Sequence, residues 1–175
     1  MSSVQSFDAK PPRVAYCDPS FLINLVIEDS KYYGECKLFS GKLKTNKTLL
    51  MMSNLGLDEI WYALLKIFAI RDYGEKGWQS KLKTDTELVK EYTKEIEDYT
   101  LSLLEIPHLV LITITADHTL LVLDLMRKYG VFPRDGIHAA ATINLGVNNI
   151  ITTDPDFINI DELTVYSCNP KIIKG

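Results

Sequence analysis

Residues 134–157, RDGIHAAATINLGVNNIITTDPDF, decide how this chain folds. Pro133 stands just ahead of them, at a helix position where a missing N–H costs nothing, and Gly146 supplies a helix terminator. A helix is therefore expected over 134–145. Residues 149–153 follow as a short branched apolar run, closed by Asp154-Pro155-Asp156-Phe157, which reads as a strand and a turn. Helix, strand and acidic turn in succession belong to an α/β layer rather than to a bundle or an all-β sandwich.

Working outward, the same alternation recurs. Val14-Ala15-Tyr16-Cys17 is an apolar run stopped by Asp18-Pro19-Ser20, so a buried strand is expected, with Pro19 opening a helix that carries Phe21, Leu22, Leu25 and Val26. A more polar helix is expected over 31–43. Leu49-Leu50-Met51-Met52 predicts a second strand, and Ser53 or Asn54 can cap the helix after it. That helix presents Leu57, Ile60, Trp61, Leu64, Leu65 and Phe68, and Trp61 and Phe68 are expected in the core. Residues 72–83 are polar with two glycines and predict a loop, and 85–104 predict an amphipathic helix ended by Pro107. A strand over 109–114, a helix through Met126 capped by Thr115 or Asp117 and closed by Gly130, and a last strand over 163–167 complete the pattern. The expected architecture is a single α/β domain over 13–175, preceded by a flexible arm over 1–12. Its mostly parallel central sheet has about five strands, flanked by helices and joined by right-handed crossovers.

Composition narrows the function classes. The chain has 175 residues, 46% hydrophobic and 24% charged, an ordinary globular profile. With 19 Lys and Arg against 23 Asp and Glu its formal net charge is −4, which excludes a protein that coats nucleic acid with bulk positive charge. Cys17, Cys36 and Cys168 are odd in number and widely spaced, supporting neither a disulfide framework nor a zinc knuckle. Residues 1–12 lack the apolar core of a secretory signal, and no apolar run approaches the ~18 residues of a membrane span. A cytoplasmic protein with no membrane partner is the expectation.

The acids are placed more tellingly than they are numbered. In parallel sheets ligands bind beyond the carboxyl ends of the strands. Asp18 directly follows the first expected strand and Asp154 the fourth. Asp135 lies in the first turn of the helix between strands three and four, and Glu59 about two turns into the helix after strand two, beside Asp58. Each taken alone is as well explained as a helix cap or turn former. Together they would crowd one rim with carboxylates, which repel unless protons or cations neutralise them. A hard, oxygen-preferring Mg²⁺ or Mn²⁺ suits such a set, and acids holding such an ion suit phosphoryl chemistry.

The pattern Asp18-x-Ser20, the 53–59 segment, Asp135-x-x-His138-Ala139-Ala140 and Thr152-x-Asp154-x-Asp156-Phe157 resembles the PIN domain, and within it the VapC-type ribonuclease toxins of toxin–antitoxin pairs, over about 14–167. The resemblance implies Asp18, Glu59, Asp135 and Asp154 as catalytic, metal-binding acids, Asp156 as a fifth metal-binding acid, and Ser20 and Thr152 as supporting hydroxyls. It implies Mg²⁺ or Mn²⁺ as cofactor and RNA as substrate, cut to 5′-phosphate and 3′-hydroxyl ends. A cognate antitoxin and a homodimer are the implied partners. Glu59 matches the motif where Asp58 does not, and adjacent side chains on a helix point about 100° apart, so only one of them can face the site. Candidate phosphate contacts are Arg134, beside Asp135, and the basic cluster of Lys42, Lys44 and Lys47; His138 is expected in the core. Alternatives to a nuclease are a PIN-fold RNA-binding or scaffolding module without turnover and a phosphatase with Asp18 as nucleophile. The latter lacks an acid at position 20. Removing the five assigned acids from the 23 leaves 18 against 19 bases, or +1: the acidity is concentrated in one site on a near-neutral body.

Overall fold

The computed structural model describes residues 2–174; Met1, the first residue of the expected arm, and Gly175 lie outside the described residues. Six strands form one sheet: β1 (Ser3–Ser6), β2 (Val14–Cys17), β3 (Leu49–Ser53), β4 (Leu109–Ile112), β5 (Asn149–Ile151) and β6 (Thr164–Ser167). Their order is β1-β6-β5-β2-β3-β4, and every pairing is parallel. Parallel strands covered on both faces read as continuous apolar runs, which is why 14–17 and 49–52 are legible at once.

Side-chain alternation along each strand divides the interior into two cores. Ala15, Cys17, Leu50, Met52 and Ile151 enter the first. They meet Phe21 and Leu22 of α1 (Pro19–Val26), Phe39 of α2 (Tyr33–Thr45), Ile60, Leu64 and Phe68 of α3 (Asn54–Tyr73), and Leu88, Tyr92 and Ile96 of α5 (Thr86–Leu104). Tyr16, Ile150 and Val165 point the opposite way, to Leu125 of α6 (His118–Tyr129), Ala139, Ala140 and Ala141 of α7 (Pro133–Asn144) and Phe157 of a 3₁₀ turn, Pro155–Asn159. The layers are helix, sheet, helix.

The helix boundaries follow the local chemistry. Asp18 caps α1 through the Ser20 N–H, Ser53 caps α3 through the Gly56 N–H, and Asp85 caps α5 through the Leu88 N–H. Gly130 ends α6 in the left-handed region at φ 69°.

Four expectations are corrected. Residues 3–6 are not part of a loose arm: they add β1 to the edge of the sheet beside β6, giving six strands instead of about five. Ser-Val-Gln-Ser has no apolar run because an edge strand buries little. Residues 72–83 are not a loop, since α3 continues to Tyr73 and α4 (Trp78–Thr84) forms beyond a turn with positive φ at Gly74 and Gly77. α4 buries no residue, so it carries no apolar periodicity. Trp61 is 40% exposed and donates its indole N–H to Thr100 Oγ1 at 2.9 Å, while Phe68 is buried as expected. Asp117 makes no side-chain cap bond to α6. Among the described residues no helix is long and apolar enough to cross a membrane.

Candidate active site

From β2 the chain runs to β3 on one side of the sheet, and from β5 to β6 on the other, so the crevice lies between β2 and β5. A doubly wound sheet opens to ligands at that point, beyond the carboxyl ends. Asp18 follows β2 and Thr152-Thr153-Asp154 follows β5, which brings the two segments side by side.

Asp18 is buried and held by hydroxyls. Its Oδ2 accepts from the Ser20 N–H at 3.1 Å, Ser20 Oγ at 2.5 Å and Thr152 Oγ1 at 2.9 Å. All three bonds fall on one oxygen, leaving Oδ1 for a ligand. Ser20 Oγ also lies 3.1 Å from Thr152 Oγ1 and accepts the Thr153 N–H at 3.0 Å, tying the β2 and β5 segments together. Thr152 Oγ1 accepts the Asp154 N–H, and Asp154 Oδ1 accepts the Asp156 N–H at 3.0 Å. Asp154, too, keeps one oxygen clear of these bonds. From the far side, Asn169 Nδ2 donates to the Thr153 carbonyl at 2.7 Å, a support that its place beyond the last expected strand concealed.

Several of the acids feel one another's charge. Burial, then the charges of Asp154, Asp18 and Asp156, push the Asp135 carboxyl up to about 7, while His138 opposes the rise. Burial raises Asp18 against the pull of His138 and its hydrogen bonds. Burial also raises Asp154, helped by Asp18, Asp156 and Glu59. Asp156 itself is exposed at the lip.

Of the two adjacent acids on α3, Asp58 is exposed, and Glu59 turns inward with its side chain 19% exposed. Glu59 Oε1 lies 3.2 Å from His138 Nε2 and 3.8 Å from Arg134 Nε. Arg134 thus stands at the rim, its side chain 59% exposed. His138 is 1% exposed and in the core as expected, yet it also reaches the site, and its Nδ1 lies 2.6 Å from the Tyr16 hydroxyl. Burial pulls the imidazole down, but the Glu59 bond and the charges of Asp18, Glu59 and Asp135 outweigh it, for a net rise. Two general signals bear on this pair: His138 is one helical turn from Asp135, and a buried tyrosine hydroxyl needs a partner.

Lys42 and Lys44 are not brought to the rim. Lys42 donates to the Phe7 carbonyl at 2.8 Å and pairs with Asp8, fastening α2 to the chain after β1. Lys44 is exposed in the last turn of α2, whose following residue Asn46 bonds the Pro11 and Pro12 carbonyls ahead of β2, at the opposite end of the strands. A basic cluster in sequence says nothing about which end of a sheet it occupies.

The donor set is oxygen alone, the charges of Asp154 and Asp18 help raise Asp135, and each of Asp18, Asp154 and Glu59 has one oxygen engaged by protein donors and one clear of them. That chemistry fits a hard divalent cation. Among the described residues no group of three or more His, Cys, Asp or Glu side chains is drawn together as a formed metal cage. The acids are neighbours in charge rather than a closed shell.

A family model described as the PIN domain matches residues 15–163. No curated protein sequence matches the chain significantly. Among solved structures it is similar to Mycobacterium tuberculosis VapC20, described as a sarcin–ricin loop cleaving toxin, at 19% identity and a TM-score of 0.53 over 82% of this chain and 92% of that one. It is also similar to VapBC2 from Rickettsia felis, bound to a DNA fragment from its promoter, at 17% identity and a TM-score of 0.50 over 88% and 98%. At these identities the likeness is one of fold.

Proposed function

The chain belongs to the PIN-domain family, and on that premise we propose that it is a divalent-metal-dependent endoribonuclease acting as the toxin of a toxin–antitoxin pair. One observation carries the reading. At the switch point of the sheet, burial and the charges of Asp154, Asp18 and Asp156 lift the Asp135 carboxyl to about 7. Such crowding opposes folding unless something positive is to be bound there.

Asp18, Glu59, Asp135 and Asp154 would hold Mg²⁺ or Mn²⁺, with Asp156 at the lip. A bound ion would neutralise the acids and stabilise charge developing on phosphate and leaving oxygen. The protein's own residues prepare the ground. Ser20 and Thr152 fix Asp18 by saturating Oδ2, so that its other oxygen is presented in one orientation. The turn at Pro155 fixes Asp154 in the same way. The exposed Arg134 guanidinium offers a planar fork to a phosphate arriving at the rim. RNA is the proposed substrate because its backbone presents phosphates that need no bulk positive surface once the site holds cations.

The test is RNA cleavage with Mg²⁺ or Mn²⁺, repeated with EDTA and with Asp18→Asn and Asp135→Asn. Chelation is expected to abolish cleavage and each substitution to lower kcat by about 10²-fold or more. Undiminished cleavage by both variants would sink the assignment, and a folded protein that neither binds Mn²⁺ nor cuts RNA would be a non-catalytic PIN module. The likeness to VapBC2 supports an antitoxin partner; co-expression of an adjacent small DNA-binding protein is expected to relieve growth arrest.

A further inference from the structure

Glu59 differs from the other site acids in how it is held. Asp18 is gripped by Ser20 and by Thr152 of the adjoining segment, and Asp154 by the Asp156 amide in its own turn. Glu59 has a longer side chain, sits in the second turn of α3, and among the described residues is reached from other elements only by His138 and by the exposed Arg134 at 3.8 Å.

The His138 contact is anchored in depth. The Tyr16 hydroxyl donates to Ser53 Oγ at 2.8 Å and accepts the Ser53 N–H at 3.2 Å. The same Tyr16 oxygen lies 2.6 Å from His138 Nδ1, and His138 Nε2 lies 3.2 Å from Glu59 Oε1, both within hydrogen-bond distance. Ser53 Oγ in turn accepts the Gly56 N–H at the head of α3. No buried side-chain N or O among the described residues is left without a partner. The chain of bonds links three of the segments that carry the acids. Tyr16 is two residues before Asp18, His138 three after Asp135, and Ser53 caps the helix of Glu59.

We propose that Tyr16 and His138 are positioning residues that hold Glu59 in register with Asp18 and Asp135, so that its unengaged Oε2 is presented to the cation. This rests on Glu59 being a site acid. Partners that orient metal-ligating carboxylates typically affect metal affinity by about 10- to 100-fold, whereas a histidine that merely fills the core would change stability and leave affinity alone.

The test uses the full chain, Mn²⁺ calorimetry, RNA cleavage and thermal melts on His138→Leu, His138→Gln, Tyr16→Phe, Glu59→Gln and the double variant Glu59→Gln/His138→Leu. His138→Leu and Tyr16→Phe are expected to weaken Mn²⁺ binding by about 10-fold and to lower kcat with KM for RNA little changed. His138→Gln, whose amide can donate to Glu59, is expected to recover most of the affinity. In the Glu59→Gln background, His138→Leu is expected to add less than about a twofold loss, because two groups acting as a unit are not additive. Wild-type Mn²⁺ affinity in a folded His138→Leu protein overturns the proposal, as does an equal loss in the Glu59→Gln background. Tyr16→Phe removes one oxygen and keeps the ring, so it decides the matter if His138→Leu fails to fold. Glu59→Gln with unchanged affinity and cleavage would instead overturn the assignment of Glu59, separately from that of Asp18 and Asp135.

Discussion

Asp135 sits where folding and ligand binding pull in opposite directions. Its carboxyl is pushed from an ordinary 3.8 up to about 7, by burial and by Asp154, Asp18 and Asp156. The native state therefore keeps a proton that the unfolded chain has lost, and stability falls as pH rises from about 4 to about 7, levelling beyond it. The raised values of Asp18 and Asp154 act in the same sense, and the raised His138 adds a further loss of stability as pH climbs above its ordinary 6.5. Thermal melts in EDTA should show wild type losing more melting temperature across that window than Asp135→Asn, and millimolar Mg²⁺ should flatten the difference. At this scale the acids were legible, because a carboxylate just past a strand announces itself by position. That Asp58 and Glu59 would not face the same way was legible too, from the divergence of neighbouring side chains on a helix: Asp58 is exposed and Glu59 turns inward. The bond between Tyr16 and His138 was not, since it joins residues 122 apart and no local pattern encodes it.

At the scale of elements, the packing of α3 against the sheet depends on a missing side chain. A Cβ on Gly56 would lie 2.8 Å from Met52 Cγ and 3.4 Å from Pro19 Cγ, and the Gly56 N–H is the one Ser53 accepts as cap. Gly56→Ala is expected to destabilise by about 1–3 kcal/mol through overpacking, read by chemical denaturation, and to lower cleavage further by displacing the Ser53–Tyr16 bonds. Strands 14–17 and 49–52 and helix 133–144 were legible because burial on both faces, or a Pro at the head and Gly just past the end, leaves strong signals. α4 and β1 were not: α4 buries nothing, and β1 pairs through its backbone with a polar sequence that propensity alone reads as coil.

For the whole molecule, β1 closes one edge of a six-stranded sheet. Deleting residues 2–6 would strip the β6 edge of a row of backbone partners and uncover a template for association. A melting temperature lower by roughly 5 °C and concentration-dependent light scattering are expected, with Mn²⁺ affinity little changed because the site lies at the β2–β5 crevice. The net charge of −4 takes on a different meaning at this scale. If the assigned acids form the proposed site, the rest of the chain is near neutral, and salt should weaken RNA binding less steeply than for a charge-coating protein.

The Ser53 amide lies at the end of a central strand, yet its hydrogen faces the Tyr16 oxygen, the midpoint of the bonds leading to Glu59. Its exchange for deuterium therefore requires opening of the crevice itself, whatever the rest of the sheet is doing. A single backbone nitrogen becomes an isotopic clock for how often the crevice loosens.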